Sequence, residues 1–137
     1  MRHFLTVPMH SMWRWVLVPA LLAAAAAHLP VIPEHLHEAP YMGALFVVLA
    51  AACVVLAATL ISFDSKVVYA LAVLTCALAV IGYLATRLIA FPMLSDDVGN
   101  WLEPLGILSI STEFVAVLSA VAGSRPGRVL GARTVVE

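Results

Sequence analysis

Charge is the scarcest property of this chain. Asp, Glu, Lys and Arg make up 11% of its 137 residues, while 64% are hydrophobic. A soluble domain carries about a quarter charged residues, so the shortfall excludes an ordinary water-facing surface and points to a polytopic membrane protein. The net charge of −1 leaves no basic field, which removes nucleic acid as a partner. Cysteine is equally sparse. Cys53 and Cys76 sit singly inside apolar runs, with neither CxxC nor zinc-finger spacing, and read as small core residues. Strongly alternating segments of about 9–11 residues are missing, which excludes a membrane barrel.

What the chain has instead is length of apolar sequence. Four segments, at residues 13–32, 41–62, 67–91 and 103–123, are each long enough to span a bilayer as a helix of about 20 residues. The expected fold is all-α: a four-transmembrane-helix bundle at 1–123 with a basic tail at 124–137. The first segment resembles a secretory signal, with a basic start and an alanine run ending at Ala27. It is long enough to span, so it is expected to stay in the protein. Arg14 between Trp13 and Trp15 reads as an interfacial anchor. Pro33 suits the first turn of a helix, and Pro40 would interrupt one. Ala44, Ala51 and Ala58 recur at heptad spacing, allowing close helix approach within the bundle or in a homo-oligomer.

Four spans put both termini on one side. Arg2, Arg14, Lys66, Arg125, Arg128 and Arg133 then share that side, whereas loops 33–40 and 93–102 contain acidic residues and no Lys or Arg. The bias of basic residues toward cytoplasmic segments predicts cytoplasmic termini in a plasma (inner) membrane, with both loops extracytoplasmic.

Polar residues concentrate in two places. The first is residues 28–43, which hold His28, Glu34, His35, His37 and Glu38. If residues 33–39 are helical, Glu34, His37 and Glu38 share a face at three- and four-residue spacing. Glu-x-x-His is a spacing used by carboxylate-bridged metal sites in helical bundles. Asp96 and Asp97 arrive on the same side. Imidazole and carboxylate together suit zinc, iron, manganese or copper. The leading expectation is an outward-facing divalent transition-metal site, with His28 and His35 first, then Glu34 and Glu38, then His37, Asp96 and Asp97. Such a site could support redox or hydrolytic chemistry. The second place is inside the spans. Glu113 lies near mid-bilayer, where an ionised carboxylate costs at least about 2.5 kcal/mol. Arg87, with Tyr83 one turn away, lies on the third span. The Tyr83/Arg87 face is expected to meet the Ser109/Glu113 face, either as a structural ion pair or as a path for ions, protons or a small solute.

Three other functions fit the same residues. Haem could be held between His28 and His35 or His37. Glu113 and Arg87 could serve an oligomeric transporter subunit, or the chain could be an accessory subunit. The paired cysteines of four-helix disulfide-relay proteins are missing, as are the histidines near both faces that a two-haem membrane cytochrome needs.

Overall fold

Prolines stand at the starts of the second, third and fifth α-helices. The structure is a computed structural model that describes Met9 and residues 11–125. Helix α1 (Arg14–His28) passes through a 3-10 turn at Leu29–Val31 into the short α2 (Ile32–Glu38). Ala39 leaves the helical region (φ −140°, ψ 80°), and α3 (Pro40–Ser62) starts at the next residue. Helix α4 (Lys66–Leu88) ends where Ile89 turns extended. A loop with a 3-10 turn at Ser95–Asp97 leads to α5 (Pro104–Gly123), preceded by an extended Glu103 (φ −64°, ψ 123°). A proline disfavours the α region for the residue before it, which explains the non-helical Ala39 and Glu103.

Four helical stretches are long and apolar enough to cross a membrane: Arg14–Glu38, Pro40–Ser62, Lys66–Leu88 and Pro104–Gly123. No strand occurs among the described residues. The expected four helices are therefore present. The third is shorter than its apolar run, ending at Leu88 rather than residue 91. Arg2, Arg128 and Arg133 lie outside the described residues.

Helix α1 lies between α3 and α5, and α4 closes the ring against α5 and α3. Helix α1 packs most extensively on α5 and α3, α4 packs on α5, and the α3–α4 contact is the loosest between neighbouring helices. Leu17, Leu21, Ala24 and His28 fall at helical spacing on one buried stripe of α1. Opposite them lie Cys53 and Ala57 of α3, Tyr69, Ala72 and Cys76 of α4, and Ala116 and Ala120 of α5. Small residues at these contacts let helix backbones approach closely. At the α3–α4 turn, Asp64 accepts the Ser11 backbone N–H at 2.9 Å and faces Arg14 at 4.0 Å. Arg14 also stacks over Trp15, 4.9 Å from the ring centroid. The outward faces of α3 and α4 are apolar and exposed, including Leu45, Val48, Val55, Leu74 and Leu78.

Candidate functional site

His28 is the last residue of α1, and its place on the buried stripe turns its ring inward. The Nδ1 atom lies 2.7 Å from the Ala24 carbonyl. A carbonyl only accepts, so Nδ1 carries the hydrogen and donates it. The Nε2 atom then faces α5, 3.2 Å from Ser109 Oγ and 3.5 Å from Glu113 Oε1. Ser109 donates to Glu113 Oε1 at 3.1 Å. Ser109 and Glu113 are one turn apart on α5, so both reach the same imidazole. His28 is 5% exposed and Glu113 1%.

This arrangement restricts the protons it can hold. With neutral His28 and ionised Glu113, an imidazole lone pair and a carboxylate would face each other across 3.5 Å, with only the serine proton between three acceptors. Glu113 Oε2 is also buried and has no hydrogen-bond partner among the described residues. A bare carboxylate in that position is costly. One further proton between Nε2 and Oε1 removes the conflict, giving either a neutral acid–imidazole pair or an imidazolium–carboxylate pair. Both forms have zero net charge. Cys53 of α3 and Cys76 of α4 are both buried in the same core.

Arg87 does not meet Glu113. It closes a separate cluster where the end of α4 meets the start of α5. Its Nη2 lies 2.7 Å from Glu103 Oε2 and its Nη1 2.8 Å from Asp97 Oδ1. Its guanidinium stacks on Tyr83 at 4.7 Å, and its carbonyl accepts the Gly99 N–H at 3.0 Å. The expected approach of the two faces does occur at Gly106, where an added Cβ would come within 2.7 Å of Tyr83 Cε2. The charge partners differ because Arg87 sits in the last turn of α4, level with Glu103 at the start of α5. Glu113 lies nearly three turns further along.

The structure brings no three of the expected metal ligands together, and no group of three or more His, Cys, Asp or Glu suited to a metal occurs among the described residues. His28 turns to Ser109 and Glu113. His35 Nδ1 is 2.9 Å from the Val31 carbonyl. Both imidazoles pack on the Phe46 ring, at centroid distances of 5.2 and 4.9 Å. Glu34, His37, Glu38 and Asp96 are exposed, and Asp97 is held by Arg87.

Between α3 and α4, the most loosely packed neighbours in the bundle, lies a cavity of about 480 Å³. His28 and Ser109 reach its inner wall, and Arg87, Asp97 and Glu103 line its outer end. Leu45, Val48 and Leu78 line it while remaining more than half exposed on the bundle surface, so its mouth opens sideways between the two helices. Tyr41 braces this region by donating to the Pro92 carbonyl at 2.6 Å.

The chain matches no protein-family profile, and no curated protein or solved structure is significantly similar to it.

Proposed function

We propose that this chain is a multi-pass protein of the plasma (inner) membrane, with both termini cytoplasmic, that takes up and releases one proton at His28 and Glu113 as part of a transport path. The carrying observation is the three-way contact of His28 Nε2, Ser109 Oγ and Glu113 Oε1, with His28 Nδ1 already committed to Ala24. Insertion is supported by the four apolar helices and by the exposed aliphatic faces of α3 and α4. Orientation is supported by Arg14 and Lys66 at one end of the bundle and by Glu34, Glu38 and Asp96 at the other. A proton is the simplest ion for this core, because a single proton shared between His28 Nε2 and Glu113 Oε1 sets whether the two groups attract or repel each other.

Infrared and 15N magnetic-resonance spectra of the reconstituted protein test the reading. A protonated-carboxyl band that shifts in heavy water and disappears in Glu113→Gln, or a doubly protonated imidazole assigned to His28, is expected. Finding neither signal at neutral pH would mean a bare carboxylate beside a neutral imidazole, and would end the proposal. Metal analysis and an optical spectrum of the same sample examine the other chemistry. One equivalent of metal or haem, lost in His28→Ala, would replace the proton reading with a cofactor site.

A further inference from the structure

The cavity between α3 and α4 is chemically selective. Its walls are mostly aliphatic and aromatic, with Phe46, Tyr83 and Phe91 contributing rings. Its mouth lies on the apolar flank of the bundle, so a ligand would enter from the lipid. A volume of about 480 Å³ falls within the range of about 300–1,000 Å³ typical of small-molecule sites. The charged lining residues are one cation, Arg87, against two anions, Asp97 and Glu103. The balance is −1, and Arg87 is already held by both carboxylates. An anionic headgroup would therefore find no free positive partner. A cation would find surplus negative charge and ring faces that stabilise it.

We propose that this cavity binds a lipid-soluble organic cation, such as a hydrophobic amine or an aryl-substituted onium ion. The cation preference stands on the charges around the cavity. Exchange of that cation for a proton rests additionally on the proton-sharing reading of His28 and Glu113. Ser109 and His28 form the wall between the cavity and Glu113. A positive charge against that wall would favour release of the shared proton and leave Glu113 ionised. The titratable groups around Glu113 are His28 from α1, Cys53 from α3 and Cys76 from α4, while His35, Tyr83, Arg87, Asp97 and Glu103 surround the cavity.

Two ions of the same shape and opposite charge provide the test. Tetraphenylphosphonium and tetraphenylborate are titrated against the full chain in nanodiscs of neutral lipid, with protein-free nanodiscs as the partition baseline. Saturable phosphonium binding near one per chain is expected, with borate at baseline. Gly82 supplies the blocking variant, because a Cβ there meets nothing within 4 Å. Gly82→Phe should fold normally and weaken phosphonium binding at least tenfold. Saturable borate binding equal to that of phosphonium, phosphonium at baseline, or binding that survives Gly82→Phe would each overturn the assignment. Proton release is recorded in weak buffer during the same titration. Phosphonium binding that releases a proton from the unmodified chain but not from Glu113→Gln supports both readings. Binding without release supports the cation site and overturns proton exchange.

Discussion

Glu113 and Arg87 show how far one residue can be read without its neighbours. Depth along the helix identified Glu113 as a carboxyl needing a partner. Its partner, however, lies 85 positions away on α1, and periodicity within one helix carries no information about which helix it will face. A signal was present on the other side. His28 continues the Leu17, Leu21, Ala24 stripe, so it belongs to the inward face of α1. The Glu34–Glu38 stretch drew attention because its residue types suit metals, yet His35 turns to Phe46 and the Val31 carbonyl while Glu34, His37 and Glu38 stay exposed. The geometry predicts the coupling directly. A double-mutant cycle on His28→Ala and Glu113→Gln should show a non-additive term of about 1–3 kcal/mol, whereas Arg87→Gln and Glu113→Gln should add within about 0.5 kcal/mol. Unfolding of the purified variants in mixed micelles measures both. Additivity in the first cycle would dismiss the His28–Glu113 contact. Glu113→Gln alone should cost less than His28→Ala, because a glutamine amide can still accept from Ser109 and donate to Nε2.

At the scale of elements, the short α2 folds back onto the start of α3 because Pro40 prevents a continuous helix from residue 32 onward. That much was legible from Pro33 and Pro40. The tightness of the fold-back was not, because it depends on the absence of a side chain at Gly43. A Cβ at that position would come within 2.6 Å of the Leu36 backbone nitrogen, and backbone cannot step aside as a flexible side chain can. Gly43→Ala should therefore cost about 1–3 kcal/mol as overpacking. The loss should appear locally, as faster amide exchange over Ile32–Glu38, while α1 and α5 keep their protection. The Arg87 cluster acts at the same scale, joining the end of α4 to the loop and to the start of α5. Asp97 and Glu103 remain partly exposed and can return to water, so Arg87→Leu should cost only about 1–3 kcal/mol. Its sharper effect should be faster exchange across residues 95–103.

For the whole molecule, the number of helices follows from hydropathy and length, and the acidic and basic ends follow from where the few charges fall. The order of packing around the bundle does not. Placing α1 against both α3 and α5 leaves the consecutive α3 and α4 as the most loosely packed neighbours, and the cavity lies between them. The proposed transport path depends on the Asp96 loop lying on one side of the membrane and the α3–α4 turn on the other. Asp96 and Lys66 are both exposed, while the native Cys53 and Cys76 are buried. Single cysteines introduced as Asp96→Cys and Lys66→Cys can therefore report sidedness with the native thiols left in place. In intact cells an impermeant maleimide should label the Asp96 variant. The Lys66 variant should react only after the membrane is opened. Early labelling at Lys66 with protection at Asp96 would invert the protein and turn the acidic rim toward the cytoplasm. Labelling of both in intact cells would mean that the helices do not cross in the order their lengths allow. The expected pattern places the mouth of the cavity in the outer half of the bilayer, where a lipid-soluble cation arriving from outside first partitions.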